Sequence, residues 1–189
     1  LYNHHEKLSA KIVPYAGYAM PVSYPNGINS EYFSVRDSIG MFDVSHMGEF
    51  YISGDNAEEF LQRITINDVS KLDLCEIQYT AMCLDNGGII DDLLLYKFQD
   101  KFMMVVNASN IKKDYDWVTQ HSTPDIKIEN VSNQISLIAL QGPKSREIAT
   151  KLFNQNINMG FYTFIEIKYN GEDIILSRTG YTGELGYEI

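Results

Sequence analysis

The tetrapeptide Asp85-Asn-Gly-Gly88 separates two apolar runs, residues 79–84 and 89–98, and is the strongest hairpin signal in the chain. Two strands joined by so short a turn must pair antiparallel. A third run at 102–106 follows at once. The middle of the chain therefore reads as an antiparallel sheet. Helical spacing appears on either side of it. Residues 57–64 form an amphipathic helix capped by Asp55, with Glu58 and Glu59 in the favourable first turn. Residues 111–121 form another, capped by Ser109 or Asn110, and residues 145–153 a third after the turn Gln141-Gly-Pro143.

The remaining segments fit the same scheme. A helix is expected over 30–39 with Gly40 as its stop, and short strands at 50–52, 126–131 and 136–140. Strands at 164–169 and 173–178 are joined by Asn170-Gly171. Residues 1–30, rich in Tyr, Pro and Gly, read as an irregular opening segment. Many hairpins with helices to one side give the α+β class, with antiparallel or mixed sheets and flanking helices.

Composition narrows the function. A net charge of -10 with no basic run argues against a nucleic-acid partner, which needs clustered Lys and Arg. No stretch approaches the roughly 18 apolar residues of a membrane span. Cys75 and Cys83 match neither a disulfide framework nor a zinc site, and the four histidines have no ligand spacing, so no metal is expected. His46 in Asp43-Val-Ser-His46 lacks the nucleophile elbow a hydrolase would need.

Two stretches carry candidate chemistry. Asp91 and Asp92 follow the Gly-Gly turn inside an apolar strand, where alternation allows only one of them to face a given cavity. Glu184 lies in Thr179-Gly-Tyr-Thr-Gly-Glu-Leu-Gly-Tyr187, where glycines free the backbone to turn or to approach a ligand. An ionised carboxylate only accepts hydrogen bonds, so it suits a ligand edge rich in N–H. Tyr79 and Tyr181 could border a flat ring, and Asn107 could meet a ligand at the end of its strand. Arg36 and Arg178 could pair with carboxylates instead of ligand.

With Phe42-Asp-Val-Ser-His-Met47, Leu140-Gln-Gly-Pro143, Tyr15-Ala-Gly-Tyr-Ala-Met-Pro21 and Val105-Val-Asn107 added, the chain resembles the aminomethyltransferase (T-protein) family of the glycine cleavage system from end to end. The resemblance implies transfer of the methylene of a lipoyl-bound aminomethyl group to tetrahydrofolate, releasing ammonia and giving 5,10-methylenetetrahydrofolate. It implies that Asp91 is the catalytic carboxylate with Asp92 structural, that Glu184 grips the pterin, and that Tyr79, Asn107 and Tyr181 help bind folate. It also implies a lipoylated carrier (H-protein) as partner, for which Lys71, Lys112 and Lys113 are the basic residues to nominate. A bacterial cytoplasm or a mitochondrial matrix follows as the compartment. The expected organisation is a first domain from residues 1–49 and 132–189 with a second, residues 50–131, inserted. Family members are longer, so a further domain and a later arginine are expected beyond residue 189.

Two other readings share this fold. One is the folate-binding part of a sarcosine or dimethylglycine dehydrogenase, which would need a flavin domain upstream. The other is a non-enzymatic folate-binding protein of iron–sulfur maintenance. That group carries a Cys-containing motif where this chain has Arg178-Thr-Gly-Tyr-Thr-Gly183.

Overall fold

The computed structural model describes residues 1–189. In chain order the elements are α1 (Tyr2–Lys7), β1 (Lys11–Tyr15), β2 (Tyr18–Ser23), α2 (Gly27–Asp37), β3 (Gly40–Asp43), β4 (Gly48–Ser53), α3 (Ala57–Ile64), β5 (Ile77–Cys83), β6 (Ile89–Lys97) and β7 (Phe102–Val106). There follow α4 (Ile111–His121), β8 (Lys127–Asn130), β9 (Ile138–Gln141), α5 (Ser145–Phe153), β10 (Phe164–Tyr169), β11 (Glu172–Ser177) and β12 (Gly186–Glu188). The fold is α+β. The chain divides into two compact units, one of Leu1–Val44, Leu137–Phe161 and Ile165–Ile189, the other of Ser45–Ser136 with Tyr162–Phe164. Residues 50–131 lie within the second unit.

The second unit is built on a five-stranded antiparallel sheet in the order β5-β6-β7-β4-β8. The Asp85–Gly88 turn closes β5 onto β6 as its composition demands. In β7 no alternation appears: Phe102, Met103, Met104, Val105 and Val106 are all buried, so the strand is covered on both faces. Against the sheet, α3 lays Ala57, Phe60, Leu61 and Ile64, whose helical spacing forms one apolar stripe. These side chains join Phe50, Ile52, Leu93, Leu95, Met104 and Val118 in the core. Each fully buried aliphatic or aromatic side chain contributes about 1.5–3 kcal/mol relative to exposure.

The first unit holds a β1–β2 ladder and a five-stranded sheet, β10-β11-β12-β9-β3. Its core gathers Leu140, Ala149, Ile157, Met159, Leu176 and Tyr187. Between β10 and β11, Asn170 and Gly171 both have positive φ (53° and 90°), the conformation a tight hairpin turn requires.

Several expectations are corrected. The first thirty residues are ordered as a helix, a strand pair and the start of α2. Pro14 and Pro21 fit because each strand of a two-stranded ribbon has an open edge that needs no N–H. Helix α2 begins at Gly27 and ends at Asp37, and Gly40 opens a strand. Asn56 and not Asp55 occupies the N-cap of α3, with no side-chain bond to the backbone. Asn110 occupies the N-cap of α4, but its amide does not cap the helix; it bonds Asp91 instead.

Candidate functional site

In the second unit, the hairpin β5–β6 and the residue that follows β7 bring together Tyr79, Asp91, Asp92 and Asn107. The pleat separates the two aspartates. Asp91 shares its face with Leu93 and Leu95 and is 6% exposed, while Asp92 is on the open face. Tyr79 donates its hydroxyl to Asp92 Oδ2 at 2.8 Å, and that bond, with the charge of Asp92, raises the phenol's pKa. The Asn107 Nδ2 group donates to Asp91 Oδ1 at 3.0 Å and to Asp92 Oδ1 at 3.0 Å. Its amide is thus held between the two acids, with the nitrogen turned towards both.

Asp91 is surrounded by donors. Asn110 Nδ2 reaches Oδ1 at 2.8 Å and the backbone N–H of Asn107 reaches Oδ2 at 3.4 Å. Burial pushes its carboxyl up, but hydrogen bonds from Asp114, Asn107 and Asn110 outweigh burial and hold it below the ordinary aspartate range. An ionised carboxylate has about four acceptor sites, and most of those on Asp91 are occupied. It is a fixed anion and a poor proton acceptor. Of the two aspartates, Asp91 is the buried one, held among donors, and Asp92 is the one that stands in the open beside Tyr79 and Asn107.

Asn110 and Asp114 were not legible as site residues. A signal existed, because Ile111, Asp114, Tyr115 and Val118 fall at helical core spacing with an acid among them.

In the first unit, the Thr179–Tyr187 segment wraps around Gln141. This side chain is 1% exposed; its Nε2 donates to the carbonyls of Thr179 (3.2 Å) and Tyr187 (3.3 Å), and its Oε1 accepts from Thr182 at 2.8 Å. A Cβ on Gly180 or Gly186 would lie 2.3 or 2.2 Å from the Gln141 side chain. Those two glycines make room for an amide of the protein itself, in place of the ligand approach that the motif suggests.

Glu184 does not stand free. Its Oε1 accepts from Arg36 Nη1 at 2.9 Å, and Tyr181 nearby in sequence is 88% exposed. A second acid, Glu188 on β12, is 8% exposed; burial raises its pKa against the opposing hydrogen bond from the Thr179 hydroxyl. Arg178 donates to the carbonyl of Met159 at 2.8 Å.

The nominated lysines are engaged locally. Lys71 pairs with Asp68 at 3.4 Å, Lys112 with Asp116 at 2.5 Å, and Lys113 donates to the carbonyl of Ile90 at 2.6 Å. No helix is long and apolar enough to cross a membrane.

The chain is 47% identical over 192 residues to an aminomethyltransferase of Flavobacterium psychrophilum and 47% identical over 191 residues to one of Halothermothrix orenii. Each alignment covers 100% of this chain and 53% of the relative. The chain thus spans about half the length of the curated relatives it matches. The glycine cleavage system aminomethyltransferase T of Bartonella henselae superimposes with a TM-score of 0.91 at 30% identity, covering 99% of this chain and 51% of that one. A heterotetrameric sarcosine oxidase from Corynebacterium sp. U-96 shares the fold at a TM-score of 0.59 and 13% identity, over 85% of this chain and 80% of that one. The family described as GCVT N-terminal domain matches residues 1–189, the whole of the chain, and the chain belongs to it.

Proposed function

We propose that this chain acts, within a longer aminomethyltransferase, in moving the methylene of a lipoyl-bound aminomethyl group to tetrahydrofolate: the carbon–sulfur and carbon–nitrogen bonds of the aminomethyl group break, two folate nitrogens take the carbon and give up their protons, and ammonia, the reduced lipoyl arm and 5,10-methylenetetrahydrofolate result. The observation that carries the reading, beyond family membership, is the Tyr79–Asp92–Asn107 cluster: an exposed carboxylate held between a phenol and an amide. When bound, tetrahydrofolate supplies the nitrogen that takes up the methylene. The chain's own share is positioning and charge. An anion at Asp92 stabilises the positive charge that develops as ammonia leaves, and its orientation is fixed in advance by Tyr79 and Asn107. Asp91, saturated with donors, keeps Asn107 in place from below.

Folate recognition is assigned to the Thr179–Glu188 segment. The ring's 2-amino group and adjacent N–H are parallel donors, and a carboxylate accepts two such donors in a fork. The motif nominates Glu184, with Tyr181 alongside. A second reading, Glu188, is favoured by its burial and by the Arg36 ion pair that already occupies Glu184. A carboxylate that is nearly out of water, without an arginine on it, gains more from two ligand donors.

The partner is a lipoylated carrier of the glycine cleavage system, and the bacterial source of the relatives favours the cytoplasm. The test uses the full-length protein with lipoyl-bound aminomethyl substrate and tetrahydrofolate. Formation of methylenetetrahydrofolate that collapses in Asp92→Asn, with folate affinity retained, is the expected result. Full turnover in Asp92→Asn would overturn the role given to the cluster, and absence of any folate-dependent turnover would overturn the function.

A further inference from the structure

Behind Asp91 lies an acid that the transfer chemistry does not use. Asp114, in the first turn of α4, is 0% exposed, and neither of its oxygens meets an N–H or hydroxyl donor of the protein. The first turn of a helix favours negative charge, yet no backbone N–H reaches this side chain. Its hydrogen-bonding neighbour is Asp91. Two carboxylates cannot both ionise at hydrogen-bonding distance in a buried place; the pair keeps one proton between them. Asp91 receives donors from Asn107 and Asn110, whereas Asp114 receives none, so the proton belongs on Asp114.

We propose that Asp114 is a positioning residue: a neutral carboxylic acid whose O–H donates to Asp91 and so sets the orientation of the Asn107 amide beneath Asp92. Removing that donor takes away one of the contacts that fix the Asp91 carboxylate, whose other donors come from Asn107 and Asn110, and the acceptor that holds the Asn107 nitrogen inward is then less firmly placed. The charged groups that act on Asp114 are Asp91 from β6 and Lys113 from its own helix. Burial and Asp91 raise its pKa, and Lys113 opposes them weakly. The role rests on the reading of Asp92 and Asn107 as parts of the reacting centre.

The experiment is done on the full-length protein. Carbon-13 NMR of carboxyl-labelled aspartates is expected to show one side chain still protonated at neutral pH, lost in Asp114→Asn. An amide keeps a donor towards Asp91, so Asp114→Asn is expected to keep kcat within about threefold. Asp114→Leu is expected to lower kcat by roughly 10–100-fold, the range seen when partners that orient a functional ligand are removed, with little change in the KM for tetrahydrofolate. A wild-type spectrum with no protonated aspartate overturns the proposal even if Asp114→Leu does not fold. So does a folded Asp114→Leu with wild-type kcat in a protein that Asp92→Asn and Asn107→Ala disable. If Asp92→Asn and Asn107→Ala are both harmless, the reading of the reacting centre has failed instead, and the positioning role falls with it.

Discussion

Arg36 Nη1 donates to Glu184 Oε1 at 2.9 Å and fastens α2 to the segment that follows β11. The pair is partly exposed, so solvent screens it and its own contribution to stability is small. It also commits one oxygen of Glu184, the acid that the motif nominates for the proposed folate site. Glu188 carries no arginine and accepts from Thr179.

The two acids are therefore distinguishable. Glu188→Gln is expected to weaken tetrahydrofolate binding by about 1.5–3 kcal/mol, the value of a hydrogen bond to a charged group, and Glu184→Gln by much less. Isothermal titration on the full-length protein measures both. The opposite ranking would return the pterin to Glu184.

The two aspartates of β6 are expected to fail differently. Asp92→Asn should lower kcat by about 100-fold or more, as loss of a preorganised charge does, and leave the melting temperature nearly unchanged. Asp91→Asn should destabilise the fold by about 1–3 kcal/mol, because it leaves the donors of Asn107 and Asn110 without their anion. Melting curves together with single-turnover rates separate these outcomes. A benign Asp92→Asn beside an inactive but stable Asp91→Asn would restore Asp91 as the reacting carboxylate.

Much of this arrangement was legible in the amino-acid order, and some was not. Helices α3, α4 and α5 and strand β7 were legible from helical spacing or a short apolar run between turn signals, although the capping of α3 and α4 was not. The face taken by each aspartate was not legible. Ile89, Ile90 and Leu93 to Leu95 put apolar residues on both sides of β6, so alternation says that the aspartates differ but not which is buried. Strand β12 has three residues and includes Gly186, too little to show a period. The glycines around Gln141 signal close approach, and the sequence does not say to what.

Glu49 makes stability depend on pH. Burial pushes its carboxyl from an ordinary 4.5 up to about 8, and its Oε2 has no partner. Between those values the unfolded chain has lost a proton that the folded chain keeps, so folding takes up a proton and stability falls as pH rises. The effect is absent below the unfolded value and complete above the folded one. Thermal melts across that window are expected to decline in the wild type and to be flatter in Glu49→Gln. Equal slopes would mean that Glu49 ionises normally in the folded state.

Gly186 is closed to a larger residue. Gly186→Ala would place a Cβ 2.2 Å from Gln141 Cδ and is expected to destabilise by about 1–3 kcal/mol, as overpacking does. Adding Gln141→Ala should remove the clash, so the double variant should be less destabilised than the sum of the singles. Denaturant titration gives the coupling directly, and strict additivity would show that the contact is not felt.

Carrier recognition is expected to be only weakly electrostatic at the nominated lysines, because Lys71, Lys112 and Lys113 already have local partners. The KM for the lipoylated carrier should then change little when all three are replaced by Gln. Strong salt dependence that disappears in the triple variant would show that they are the docking surface.

Strand β4 pairs with β8, setting Phe50 beside Asn130, while β3 pairs with β9, setting Asp43 beside Ile138. The order in which these ladders form matters. Joining β3 to β9 in an unstructured chain means closing a long loop, an entropic cost that grows with the logarithm of its length. Once the sheet containing β4 and β8 exists, its two ends emerge side by side and the same pairing becomes nearly local. The unit built from both flanks is thus expected to mature after the one that holds β4 and β8.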